Sequence, residues 1–101
     1  ASALFEATRV PQQVAELGID LLQELCTLAP LGSKQSMSDA AVAAHLATAA
    51  VRSALLNVRI NLAYMRDRAM VEEMEKAACA LDEQCTRLSE RAVSAVAQRI
   101  S

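Results

Sequence analysis

The chain predicts an all-α fold, and three observations carry that prediction. Good helix formers (Ala, Leu, Glu, Gln and Arg) dominate the composition. Only two glycines and two prolines occur among 101 residues, too few for the turns of a β protein. Apolar residues recur in steps of three and four along most of the sequence, which is the spacing of one helix face. Hydrophobic residues make up 53% of the chain and aromatics only 2%, so the core must be built from Ala, Leu, Val, Ile and Met. Side chains of that size let helix backbones approach closely. A chain of this length predicts a single domain over residues 1–101.

Taken in order, Ala1–Thr8 reads as the last turns of a helix. Val10-Pro11 is expected to end it, because the residue before a proline avoids the helical region. Pro11 suits the first position of a second helix, striped by Val14, Leu17, Leu21, Leu25 and Leu28 and closed by Pro30 and Gly32. Residues 32–37 read as a polar loop. Ser38 is expected to cap a third helix, with Asp39 favouring its positive end, and that helix runs to about Tyr64. Val42, Leu46, Ser53, Leu56 and Ile60 mark one flank of it. Ala40, Ala43, Ala44, Ala47, Ala50 and Ala54 mark another. Being apolar most of the way round, it is expected to be buried on several sides.

Asp67 is placed to cap a fourth helix, from about Arg68 to Arg99. Its seam (Val71, Met74, Ala78, Leu81, Cys85, Leu88, Ala92 and Ala95) has heptad spacing. About 30 residues at 1.5 Å each span ~45 Å. A compact globule of this length has a radius of gyration of only ~13 Å, or roughly 26 Å across. The architecture predicted is therefore a bundle of long antiparallel helices, its core completed by dimerisation or by an N-terminal half outside this sequence.

Charge and cysteine usage exclude several function classes. The net charge is −2 and the ten basic residues are scattered, whereas a nucleic-acid binder needs a basic face. No uninterrupted apolar run approaches the ~18 residues of a membrane span, and no signal-peptide pattern is seen, so no membrane partner is expected. Three cysteines without a CxxC fit reduced thiols and a cytoplasmic setting. His45 is the only histidine and has no Cys, Asp or Glu at ligand spacing, so no metal is expected. With no phosphate-binding glycine loop, no nucleotide is expected either.

Asn57 and Asn61 stand out inside an apolar helix. They are four residues apart and share a face, and buried amides are costly unless they find partners. Either they form a buried amide network that fixes helix register, or they serve a ligand. Asp39 precedes Asn57 by five helical turns and so projects from the same side, yet ~27 Å away. The two meet only if this helix pairs antiparallel with its twin in a second chain. Arg52, Arg59 and Arg66 recur every seven residues and are expected to pair with acidic residues of the fourth helix, such as Glu72, Glu73 and Glu75. Cys85 lies on the heptad seam as a small core residue.

Glu6-Ala7-Thr8-Arg9-Val10-Pro11, then Val14-Ala15-Glu16-Leu17, the Gly32–Asp39 loop, the alanine-rich helix and Leu56-Asn57-Val58-Arg59-Ile60-Asn61-Leu62 follow one another as in a known family. In that order and spacing the chain resembles the formiminotransferase-cyclodeaminase family, over nearly its whole length. The Ser38-Asp39 helix opening and the Asn-Val-x-Ile-Asn motif are the most specific parts. The resemblance implies a multihelical, dimeric domain acting on folates. Its chemistry is deamination of 5-formiminotetrahydrofolate or hydrolysis of 5,10-methenyltetrahydrofolate, with tetrahydrofolate as the one-carbon carrier. It further implies a domain about twice this length, of which these residues match the C-terminal half. The family's first half opens a buried helix with Gly-Gly-Gly-Ser, a segment this sequence lacks. Ser33 and Gln35 stand where the family often has asparagines.

On that resemblance Asp39 is the candidate catalytic group, because both reactions move a proton at nitrogen or water. Lys34, Ser38, Asn57 and Asn61 are the candidate substrate-binding residues, Lys34 facing the glutamate tail of a folate. The partners implied are a folate and a second copy of the chain. Two alternatives stay open. One is a non-catalytic helical association module. The other is half of an enzyme completed by a second polypeptide.

Overall fold

The computed structural model describes residues 2–100. Three helices account for nearly all of them: α1 (Ser2–Leu28), α2 (Lys34–Leu62) and α3 (Arg68–Ile100), with a short 3-10 turn at Ala29–Leu31 after α1. Among the described residues there is no strand. Tight connections make neighbouring helices antiparallel, and each helix packs on both others. The bundle measures 51 × 18 × 16 Å with a radius of gyration of 15.8 Å. It is thus a rod, as long helices of small residues require, and the all-α reading holds.

Pro11 does not break the chain. α1 runs unbroken from Ser2 to Leu28 with Pro11 inside it. A proline in a helix interior removes one hydrogen bond and costs ~3 kcal/mol or more. Residues on both sides of it are held to the same core, which offsets that cost. Thr8 is fully buried, Ala15, Ile19 and Leu22 are buried, and Phe5 packs against them. The Thr8 hydroxyl donates to the Leu4 carbonyl at 2.8 Å, so this buried polar group is satisfied. The two helices expected on either side of Val10 are therefore one.

The start of α2 also differs from expectation. Ser33, not Ser38, is the cap: its Oγ accepts the Ser36 N–H at 3.2 Å. An earlier serine performs the same chemistry, and Lys34, Gln35 and Ser36 are tolerated in a first turn. Ser38 and Asp39 consequently lie beyond that turn, where the helix dipole has little hold on a carboxylate. Asp67 does cap α3, accepting the Met70 N–H at 3.1 Å.

The core is lined by alanine and aliphatic residues of all three helices, with Leu22, Val51, Leu55, Val58 and Cys85 fully enclosed. Gly18 lets α1 and α2 touch: a Cβ built on it would lie 2.3 Å from Val51 Cγ2. Met74, Ala78, Cys85 and Ala92 of the α3 seam are buried, as the heptad requires. A smaller cluster of Ala29, Met37 and Val96 closes one end of the rod.

The other two apolar stripes face outward. On α1 Val14, Leu17, Leu21 and Leu28 are exposed, and only Leu25 of that set is buried. On α2 Val42, Leu46, Leu56 and Ile60 are exposed, with Leu17 and Leu46 each 68% accessible. Helix α2 is thus buried along one side, not several: Ala44, Ala47, Val51, Ala54, Leu55, Val58 and Leu62 pack inward, and Val42, Leu46, Leu56 and Ile60 do not. By length and composition α2 would suffice to cross a membrane, with a mean hydropathy of 1.3 over its most apolar stretch. Its inner side, however, is packed between α1 and α3.

Candidate ligand groove between α1 and α2

Antiparallel packing sets Pro11 beside the far end of α2. There a groove of about 340 Å³ is lined by Ala7, Val10, Pro11 and Val14 of α1 and by Ala54, Asn57 and Asn61 of α2. Ligand sites of ~300–1,000 Å³ with apolar walls and a few convergent polar groups are the usual pattern. The walls here are Val10, Pro11, Val14 and the alanines, and the polar groups are the two carboxamides.

Asn57 is exposed and Asn61 half-buried. Among the described residues neither side-chain amide takes a protein hydrogen-bond partner. The buried amide network is therefore not formed within the chain. Because Pro11 has no N–H, the carbonyl of Ala7, a residue that lines this groove, lacks the donor that an ordinary helix would supply from four residues ahead. The groove thus gathers Asn57, Asn61 and Ala7 between apolar walls.

The remaining candidates lie elsewhere. Lys34, Ser38 and Asp39 are all exposed near the start of α2. Since α2 is one continuous helix, Asp39 is ~27 Å along it from Asn57. The chain on its own brings Asn57 and Asn61 together and leaves Asp39 apart from them. The α1 wall is not legible in the sequence, where Pro11 reads as a helix break, though an interior proline is itself the signal of an altered backbone at Ala7.

The arginine stripe of α2 binds α3, as expected, with a different main partner. Arg59 reaches Glu75 at 3.5 Å and Asp82 at 3.8 Å, while Arg52 approaches Asp82 at 3.9 Å and donates to Thr86 at 3.2 Å. Asp82 is thus the shared acceptor, and Glu72 and Glu73 point to solvent. Arg66 is exposed at the other side of the α2–α3 turn, beside Tyr64, Met65 and Asp67. Burial pushes the Cys85 thiol above its ordinary value, and nearby Arg52 and a Thr48 hydrogen bond only partly oppose this. His45 is exposed, next to Thr48 and Arg52. Among the described residues no three His, Cys, Asp or Glu side chains gather at metal-ligand spacing.

A family model described as formiminotransferase-cyclodeaminase matches residues 1–80. No curated protein matches the chain. The matched stretch includes α1, α2 and α3 as far as Ala80, and with them every groove residue, Lys34, Ser38 and Asp39. On that match the chain belongs to the formiminotransferase-cyclodeaminase family, which associates it with folate-related one-carbon metabolism.

Proposed function

We propose that this chain carries part of a folate-processing site that deaminates 5-formiminotetrahydrofolate or hydrolyses 5,10-methenyltetrahydrofolate, and that the site is completed by a second copy of the chain. The observation that carries the reading is the groove. Two carboxamides with no side-chain partner among the described residues sit inside the family-matched region, flanked by the exposed apolar residues Val10 and Val14. Apolar patches of this kind mark interfaces. An uncharged apolar stripe is self-complementary, as a two-fold interface requires.

The position of the α2 stripe supports an antiparallel pairing. Exposed Val42, Leu46, Ala49, Ser53 and Leu56 lie between Asp39 and Asn57 in sequence. Asp39 and Asn57 project from one side of the helix, five turns apart. A two-fold axis near the middle of that stripe sets Asp39 of one copy beside Asn57 of the other. A distance above ~15 Å between them in a dimer structure, more than half the ~27 Å that separates them along one helix, would contradict this arrangement.

In that setting the chemistry needs one mobile proton. For deamination, the second folate nitrogen attacks the carbon of the protonated formimino group and gives up its proton, which passes to the departing NH2 group, so that ammonia leaves and the methenyl cation remains. For hydrolysis, water adds to the methenyl carbon and loses a proton before the ring opens. The Asp39 carboxylate is the group proposed to accept and return that proton, and Asn57 and Asn61 are proposed to hold the substrate. Lys34 and Ser38, exposed on the Asp39 end, are proposed to meet the anionic tail. Tetrahydrofolate is the carrier; no metal, nucleotide, nucleic acid or membrane enters the proposal, and the setting is cytoplasmic.

The test is absorbance decay of methenyltetrahydrofolate and ammonia release from formiminotetrahydrofolate, for the chain and for Asp39→Ala. The expected result is acceleration of one reaction by the chain and a loss of ~100-fold or more in the variant, the usual weight of a general acid–base group. Equal rates in both proteins would remove Asp39 from the chemistry. A second reading is a helical module that only associates, and the exposure of Asp39 away from the groove favours it. No acceleration of either reaction would leave that reading ahead.

A further inference from the structure

Resting on the folate reading, we infer that the groove at Pro11, Asn57 and Asn61 is the subsite for the amide edge of a flat heterocycle, the lactam side of a pterin ring, and that Pro11 builds it by freeing the Ala7 carbonyl. Three observations converge. Pro11 stands inside a continuous helix, where it leaves the carbonyl four residues before it without a helical donor. Ala7, whose carbonyl loses its helical donor through Pro11, lines the same groove as Asn57 and Asn61. Neither asparagine side chain is bonded within the chain.

The chemistry of the groups selects the ligand class. A carbonyl is an acceptor only, and each carboxamide offers one acceptor and two donor hydrogens. A lactam edge presents alternating N–H and C=O groups, so its N–H meets the Ala7 carbonyl and its acceptors meet the amide N–H groups. Val10 and Val14 stand beside these polar groups as apolar walls for the ring faces. An anionic tail finds no cation here, since none of the seven lining residues is charged. The groove thus discriminates between the two ends of a folate.

The experiment is calorimetric titration of the full chain with three probes: folic acid, pterin-6-carboxylate, which has the ring without the tail, and p-aminobenzoylglutamate, which has the tail without the ring. Asn57→Ala, Asn61→Ala and Pro11→Ala are titrated alongside. Folic acid and pterin-6-carboxylate should bind, and each asparagine variant should weaken both by about tenfold or more, as expected when a buried polar partner is left unpaired. Binding of p-aminobenzoylglutamate should be unchanged. Pro11→Ala should melt at a higher temperature and yet bind the ring more weakly, a pairing that a purely structural role for Pro11 would not produce. Folic acid bound equally well by all three variants would overturn this inference and leave the folate reading intact. Folic acid bound by none of the proteins, with all of them folded by circular dichroism, would overturn both.

Discussion

Two apolar stripes in this molecule look alike in sequence and meet opposite fates. Along α3, Met74, Ala78, Cys85 and Ala92 recur at heptad spacing and are buried. Along α1, Val10, Val14, Leu17, Leu21 and Leu28 recur at the same spacing and are exposed. The difference lies in what opposes each stripe. The inner seam of α3 shares one core with Leu22 of α1 and with Val51, Leu55 and Val58 of α2, so three helices close around it. The outer stripes of α1 and α2 carry Leu, Val and Ile, and among the described residues they stay exposed. Periodicity therefore reports that a face seeks cover without naming the partner that supplies it.

The largest expected effect separates the two faces by mutation. Leu22→Ala, at a fully buried position, should cost about 2–5 kcal/mol in urea unfolding. Leu17→Ala, at a 68% exposed position, should cost less than about 0.5 kcal/mol at concentrations low enough to keep the chain monomeric. Equal losses under those conditions would erase the distinction.

Next in size is the contact between α1 and α2. An Ala in place of Gly gains up to about 1 kcal/mol of helix propensity at an open site. Here the new methyl would lie 2.3 Å from Val51 Cγ2, and Val51 is fully buried and cannot withdraw. Gly18→Ala should therefore destabilise by about 1–3 kcal/mol, as overpacking does. Val51→Ala in the same chain should relieve most of that loss, which thermal melts of the single and double variants would reveal.

A smaller effect tests the inner seam by pH. Burial holds the Cys85 thiol above its ordinary value of 9.0. The unfolded chain thus loses this proton first, so the contribution of Cys85 is complete below about pH 9 and is lost as pH rises through the folded value. The urea midpoint should fall between pH 8 and 10, and fall less in Cys85→Ala. At pH 8 a thiol reagent should modify exposed Cys79 rapidly and buried Cys85 slowly. An identical pH dependence in the variant would show that Cys85 is not the titrating group.

Much of this is legible in the sequence, for definite reasons. Helix content, the α3 seam, the Asp67 cap and the α2–α3 arginine pairing follow from local spacing, and local spacing is what a sequence displays. Pro11 was misread because its cost is local, whereas the burial of Thr8, Ala15 and Ile19 that outweighs it comes from packing. Ser33 displaced Ser38 as cap because two serines five residues apart offer the same hydroxyl, and the choice depends on where the chain leaves the turn after Pro30. For the site, the shared face of Asn57 and Asn61 was legible from their spacing of four. Their α1 neighbours were not, because which turn of α1 lies opposite depends on the length of the α1–α2 connection. Asp39 remains on the same side and five turns away, and geometry within one chain does not close that gap.

The measurement that tests the central contrast most directly is the solution mass by sedimentation equilibrium at about 100 µM, for the chain and for a Leu17→Glu/Leu46→Glu double variant. If the outward stripes are covered by a second copy, the chain should have about twice its 10.8 kDa mass, and the variant should be monomeric with its helical circular dichroism intact. A monomeric parent chain, or a double variant that remains dimeric, would contradict the account.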